Sequence, residues 1–326
     1  MNVTVLGAGS WGMALAKILS EGGHAVTLWG RDARTLAEIR DTDHCPRYLP
    51  GVELPRQWSL EGDLPRAVAG SECVVVAVPS GSFREVTRSL ADYAGIIVSV
   101  TKGIEHETGL TMCGVLRENA PRARTCALSG PTFALEVARG IPTAIVGASR
   151  DPAAAQTVQA LFHRPTFRVY RSDDLLGVEL GGALKNIIAL AAGVCDGMGF
   201  GDNSKAALLT RGIAEIRRLG VACGAESETF SGLSGLGDLT VTCFSKLSRN
   251  RGFGERLGRG EKIDAILAGP SVVAEGFPTT RSAHQLARKL QATTPIIDEV
   301  HAVLYEGKNA VRAMKDLLGR ATKAED

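Results

Sequence analysis

Lys185 is the one charged residue in Leu180 to Ala192, a stretch otherwise apolar nearly all round. A helix with that pattern is buried. A lysine inside it is costly unless it is paired or used, and burial draws an amine's pKa down toward neutrality, where it can exchange protons. Asn186 stands beside it. A second chemical element is Gly7-Ala8-Gly9-Ser10-Trp11-Gly12, a G-x-G-x-x-G that follows the apolar run Val3 to Leu6 and leads into the helical run Met13 to Leu19. In that order Gly7 permits a tight turn, Gly9 lacks the Cβ that would hold a pyrophosphate off the backbone, and Gly12 lets the helix pack closely on the strand. The free N–H groups at the helix start then meet phosphate oxygens. A third element is Ser248-Arg249-Asn250-Arg251. Arginine beside an amide suits a phosphate, since its donors fork onto two oxygens; read alone, the four residues form a polar surface loop. A fourth is Ser231 to Leu239, Ser-Gly-Leu-Ser-Gly-Leu-Gly-Asp-Leu, whose glycines suggest a backbone pressed close to something.

These residues need elements to position them. A second strand is expected at Ala25 to Trp29, followed by the turn Gly30-Arg31-Asp32-Ala33-Arg34. In a dinucleotide fold the tip of that strand faces the adenosine ribose, where a carboxylate binds a 2′-hydroxyl and an arginine accommodates a 2′-phosphate. Arg31 comes first, which favours NADPH and leaves NADH usable. Cys73 to Val78, Ile96 to Val100 and Thr125 to Leu128 read as buried parallel strands. The last two end at Thr101-Lys102-Gly103 and Ser129-Gly130-Pro131-Thr132. Both ends should open on one edge of the sheet, so Lys102 and the Gly130 turn are site candidates by topology. Phe133 to Arg139 reads as a helix, Thr143 to Val146 as a strand, Asp151-Pro152 as a cap opening a helix to Phe162, and Phe167 to Tyr170 as the last strand. Beyond Ser172 the segments become long and helical. The expectation is an α/β Rossmann-type dinucleotide-binding domain over 1–175 and an all-α substrate-binding domain over 176–326.

Composition excludes several classes. Hydrophobic residues make up 44% of the 326 and charged residues 22%, which supports a sizeable core and argues against wholesale disorder. A net charge of +2 makes no case for nucleic acid. The cysteines (Cys45, Cys73, Cys113, Cys126, Cys195, Cys223, Cys243) include no C-x-x-C pair, and their odd number, seven, reads as reduced thiols in a cytoplasm. The histidines (His24, His44, His106, His163, His284, His301) have no metal-ligand spacing, so no metal is assigned. No apolar run reaches the roughly 20 residues of a membrane span, and the first strand leaves no room for a targeting segment.

Taken together, Gly7 to Gly12, Thr101-Lys102-Gly103-Ile104-Glu105, Ser129 to Ala134, Gly182-Ala183-Leu184-Lys185-Asn186, Gly235-Leu236-Gly237-Asp238-Leu239 and Ser248-Arg249-Asn250 stand in an order that resembles the bacterial NAD(P)-dependent sn-glycerol-3-phosphate dehydrogenases. The resemblance covers nearly the whole chain. One departure is Cys45, where the family often has asparagine before the Tyr-Leu-Pro loop. The resemblance implies cofactor contacts at Ser10, Trp11, Arg31, Ala134, Val273 and Glu275, beside the glycines Gly7, Gly9 and Gly12. It implies substrate contacts at Lys102, Gly130, Thr132, Asp238, Ser248, Arg249 and Asn250, with Lys102 and Arg249 also reaching the cofactor. Lys185 is implied as the proton acceptor. It further implies a homodimer acting on a small phosphate substrate, dihydroxyacetone phosphate reduced to sn-glycerol 3-phosphate for glycerophospholipid synthesis. Two other readings stay open on the residues alone: a two-domain NADPH-dependent reductase of a keto acid, and a nucleotide-sensing protein without turnover.

Overall fold

The computed structural model describes residues 1–269 and 274–321. Two compact units divide it, one of Met1–Lys102 with Leu110–Glu179, the other of Gly103–Gly109 with Leu180–Asp326. The division after Glu179 falls inside a helix, a few residues past the expected change of pattern.

The first unit carries strands β1 (Asn2–Leu6), β2 (Ala25–Trp29), β3 (Ser59–Glu61), β4 (Cys73–Val76), β5 (Ile96–Ser99), β6 (Arg124–Ser129), β7 (Thr143–Ala148) and β8 (Phe167–Ser172). Its helices are α1 (Ser10–Glu21), α2 (Ala33–Thr42), α3 (Leu64–Val68), α4 (Ser80–Thr87), α5 (Met112–Asn119), α6 (Ala134–Ala138) and α7 (Pro152–Phe162). The strands form one sheet in the order β3-β2-β1-β4-β5-β6-β7-β8. The first six are parallel and follow the doubly wound order, with its switch point between β1 and β4. β7 turns antiparallel to β6, and β8 runs parallel to β7.

Both faces of this sheet are covered, which is why its central strands are apolar at most positions. Val3, Val5, Cys73, Val75, Ile96 and Val98 point into one core with α1 and α7. The intervening Leu6, Val74, Val76 and Ile97 point into another with α4 and α5. Thr4 is the buried polar residue of β1, and its hydroxyl donates to the Ala67 carbonyl at 2.6 Å. Glu179 is buried and accepts from the Thr111 hydroxyl and the Cys113 N–H, each at 2.8 Å, at the start of α5.

The second unit is helical. It begins within α8 (Leu175–Gly197) and continues with α9 (Asp202–Ala222), α10 (Asp238–Phe244), α11 (Arg249–Gly258), α12 (Ile263–Leu267), α13 (Gly276–Lys289), α14 (Pro295–Tyr305) and α15 (Ala310–Leu318). A single π-turn, Leu233–Gly237, runs directly into α10. In this glycine-rich stretch the backbone is indeed pressed close: a Cβ on Gly235 would collide with the Phe230 carbonyl. α8 is longer than the apolar run suggested, because neither Glu179 nor Lys185 interrupts it. At 23 residues it is long and apolar enough to cross a membrane, yet 89% of its apolar window is buried inside the protein. Its apolar surface is therefore consumed by packing. α8 and α11 pack backbone to backbone: a Cβ on Gly193 would collide with the Arg251 carbonyl, and one on Gly254 with the Leu190 carbonyl.

All seven cysteines are free thiols. Among the described residues no group of His, Cys, Asp or Glu could hold a metal ion.

Candidate active site

In the first unit, β1 ends at Leu6 and the chain turns at Gly7, whose φ of 127° is accessible to glycine alone. A Cβ there would lie 2.6 Å from the Ala77 carbonyl oxygen, and one on Gly12 would collide with the Gly7 carbonyl. Gly9 is different. It is the N-cap of α1, in extended backbone, and a Cβ built on it meets nothing within 4 Å. No side chain caps α1, whereas α2 is capped by Asp32 and α11 by Ser248. The first-turn N–H groups of α1 thus face open space over a glycine, an arrangement that fits a pyrophosphate.

Ser10 donates to the Tyr48 carbonyl at 2.9 Å, tying this turn to the Tyr48 loop. The buried Cys45 supports that loop, its carbonyl accepting from Tyr48 N–H at 3.0 Å and Leu49 N–H at 2.8 Å. Burial raises the Cys45 thiol to about 11, so it sits there as a neutral, space-filling group. Trp11 and Ala134 are half-buried and pack against the same core. Past β2, Arg31 is exposed. The neighbouring Asp32 carboxylate accepts from the Thr35 hydroxyl at 2.8 Å and the Arg34 N–H at 3.1 Å, and these bonds hold its pKa below the usual range. Asp32 is thus committed to capping α2, and the charge presented beyond that cap is Arg31. At the ends of β5 and β6, Lys102 Nζ donates to the Gly130 carbonyl at 3.0 Å and the Thr132 hydroxyl to the same oxygen at 3.2 Å. The structure thus brings Lys102, Gly130 and Thr132 together, as expected from the strand ends.

In the second unit, Lys185 is 6% exposed on α8 and Asp238, the first residue of α10, is 1% exposed. The Lys185 ammonium donates to the Asp238 carboxylate, an ion pair, and to the Thr242 hydroxyl at 2.7 Å. Thr242 in turn donates to the Asp238 carbonyl at 2.6 Å. Thr242 was not among the expected site residues; its position four residues after Asp238, on the same helical face, was the available signal.

Ser248-Arg249-Asn250 departs from the expected polar loop. Ser248 is the N-cap of α11, accepting from the Arg251 N–H at 3.2 Å, and Arg249 and Asn250 are the first two helical residues. Asn250 is buried, and its side chain is already engaged: its amide donates to the Asn186 Oδ1 at 2.9 Å and its Oδ1 accepts from the Gly276 N–H at 2.9 Å. The Asn250 side chain therefore ties α8 to α11 and α13, so what its position offers an anion is chiefly its backbone N–H. Arg249 keeps an exposed side chain. Partial desolvation by its surroundings lowers its pKa, against the opposite pull of Glu275 at the start of α13. Val273 lies outside the described residues.

Two family models match this chain in succession. The NAD-dependent glycerol-3-phosphate dehydrogenase N-terminus covers residues 2–155, and the C-terminus of the same family covers residues 174–315. The chain belongs to this family. A glycerol-3-phosphate dehydrogenase [NAD(P)+] of Syntrophotalea carbinolica is 50% identical, covering 100% of this chain and 99% of that protein. One from Thioalkalivibrio sulfidiphilus is 49% identical over 99% and 98%. The crystal structure of the Coxiella burnetii glycerol-3-phosphate dehydrogenase superposes with a TM-score of 0.94 at 36% identity, covering 98% of this chain and 99% of that one. Family membership over both units sets aside the keto-acid reductase and the nucleotide sensor. It also fits the phosphate-ready turn at Gly9, since the relatives carry NAD(P)+ in their names.

Proposed function

We propose that this chain reduces dihydroxyacetone phosphate to sn-glycerol 3-phosphate, reversibly, with NADPH favoured and NADH usable. The observation that carries the reading is the buried Lys185–Asp238–Thr242 cluster. A lysine held as an ammonium by a buried carboxylate is a proton donor ready for ketone reduction.

The Gly7 to Gly12 turn and the first turn of α1 would hold the dinucleotide, with Ser10, Trp11 and Ala134 beside it and Arg31 toward the adenosine ribose. When bound, the nicotinamide supplies the hydride that adds to C2. Lys185 donates the proton that completes the new C2 hydroxyl, and is left as an amine hydrogen-bonded to Asp238 and Thr242. In the reverse direction that amine takes the proton back. An ammonium near the carbonyl oxygen also offsets the negative charge developing there. Asp238 and Thr242 orient Lys185. The N-terminus of α11 offers the phosphate its first-turn N–H groups, the Ser248 hydroxyl and the forked donors of Arg249. Lys102, Gly130 and Thr132 are the substrate contacts of the first unit, and Glu275 and Val273 serve the cofactor. We place the enzyme in the cytoplasm as a homodimer whose product feeds glycerophospholipid synthesis.

A substrate panel with NADPH tests this reading. Dihydroxyacetone phosphate should be turned over far better than phosphate-free dihydroxyacetone or any keto acid. A keto acid as the preferred substrate overturns it.

A further inference from the structure

The proposed phosphate donors occupy three residues, Ser248, Arg249 and Asn250, and next to them lies a nearly enclosed ion cluster outside the site. Asp196 on α8 pairs with Lys205 of α9 through Oδ1 at 2.5 Å and with the Arg251 Nε through Oδ2 at 2.6 Å. All three side chains are nearly enclosed, 13%, 9% and 11% exposed. Taking such charges out of water consumes most of what their attraction returns, so a buried cluster contributes geometry more than stability.

The geometry here is specific. Arg251 is held at three points: its N–H by the Ser248 hydroxyl at 3.2 Å, its carbonyl against Gly193 of α8, and its guanidinium by Asp196, one helical turn beyond Gly193. Ser248 and Arg251 flank Arg249 and Asn250, so the first turn of α11 has little freedom to slide or rotate on α8. Asp196 lies eleven residues after Lys185, about three turns along the same face of α8, or roughly 17 Å. One rigid helix thus carries both the proton donor and the anchor of the phosphate-binding turn. Lys205 extends the link to α10, its ammonium lying 5.1 Å from the centre of the Phe244 ring at the end of the helix that begins with Asp238.

We infer that Asp196 is a positioning residue which, through Arg251, sets the first turn of α11 relative to Lys185 and so determines how well the substrate phosphate holds C2 in place. This inference rests on the phosphate assignment made above. Asp196 touches neither substrate nor cofactor in this account. Its loss should therefore act only on substrates that carry the phosphate. A small misplacement of a binding group can lower a rate about a hundredfold.

The test uses the full-length enzyme with NADPH and compares dihydroxyacetone phosphate with dihydroxyacetone, adding inorganic phosphate as a competitor. Asp196→Asn keeps the shape and removes the charge. It should lower kcat/KM for dihydroxyacetone phosphate by about 10- to 100-fold, through both kcat and KM. It should weaken inhibition by inorganic phosphate and leave dihydroxyacetone turnover within about threefold. A purely structural residue would depress both substrates alike, and that result overturns the inference, as does an unchanged dihydroxyacetone phosphate rate. Arg251→Lys keeps the charge and shortens the reach, and should give an intermediate loss of the same selective kind. It carries the test if Asp196→Asn does not fold, and an unchanged substrate ratio in Arg251→Lys then overturns the inference. Arg249→Ala separates the two readings. If it leaves the substrate ratio unchanged, the phosphate assignment fails; if it collapses the ratio while Asp196→Asn and Arg251→Lys do not, only the positioning inference fails.

Discussion

Gly9→Ala separates folding from cofactor binding at a single methyl group. The backbone at Gly9 has φ −90° and ψ 178°, which alanine adopts without strain, and the new Cβ would meet nothing within 4 Å of the protein. The folded state therefore loses no contact. Alanine restricts the unfolded chain, worth about 0.4–1 kcal/mol at a compatible position, but is a poorer N-cap than glycine by a similar amount, so the two nearly cancel. The same methyl group occupies the space over the first turn of α1 through which a pyrophosphate must approach the N–H groups. Losing one or two charge-assisted hydrogen bonds of about 1.5–3 kcal/mol each weakens the dinucleotide by at least about tenfold. The assay pairs thermal unfolding without cofactor and a titration of NADPH by fluorescence. The expected result is a nearly unchanged Tm with a Kd at least about ten times higher. Gly12→Ala is the contrast, since its Cβ collides with the Gly7 carbonyl and should lower Tm directly. A Gly9→Ala protein that binds NADPH as tightly as the original would refute the placement of the pyrophosphate on α1.

Two further outcomes follow from charged groups of the structure. With Asp32 committed to its helix cap, Arg31→Ala should lower kcat/KM with NADPH and leave NADH nearly untouched; steady-state rates with both cofactors check this, and an unchanged ratio removes Arg31 from the account. Glu215 is buried in α9 and accepts from the N–H groups of Ile296 at 2.9 Å and Ile297 at 2.7 Å, and desolvation raises its pKa to about 7. The native state then holds this proton more tightly than the unfolded chain, so stability should fall as pH rises from the ordinary glutamate range through about 7 and level off above it, by about 2–4 kcal/mol in all. Urea unfolding across that range should show this decline in the wild type and a shallower one in Glu215→Gln; parallel curves would contradict it.

The elements most legible in the sequence were those whose apolar runs are buried on both sides. β1 and β2 lie where their residues place them, and the Gly7 to Gly12 turn opens a helix as its spacing requires. β4 and β5 stop short of Val78 and Val100 because these valines are buried beyond the last ladder pair. β3 and α3 are short and mixed in composition, so no period marks them. The antiparallel turn of β7 depends on which neighbour it pairs with, which no local run of residues records. In the site, Lys185 was legible because a charge in an apolar helix requires a partner, and Asp238 and Thr242 supply it. Ser248-Arg249-Asn250 read as a loop because serine, arginine and asparagine carry no apolar period; their helical state comes from the cap and from the glycine contact between α8 and α11. The engagement of the Asn250 side chain with Asn186 and Gly276 is a contact between distant segments and had no signature at Asn250 itself.

In the proposed mechanism Lys185 moves the proton while dihydroxyacetone phosphate is reduced. The most direct measurement follows NADPH oxidation after addition of dihydroxyacetone phosphate, with the wild type and with Lys185→Ala, alongside the cofactor Kd of each. Substrate-dependent oxidation is expected of the wild type and a kcat lower by about a hundredfold or more of the variant, with cofactor binding intact, because the proposed role of Lys185 is on the substrate and not on the dinucleotide. A folded Lys185→Ala protein that turns over near the wild-type rate would contradict it.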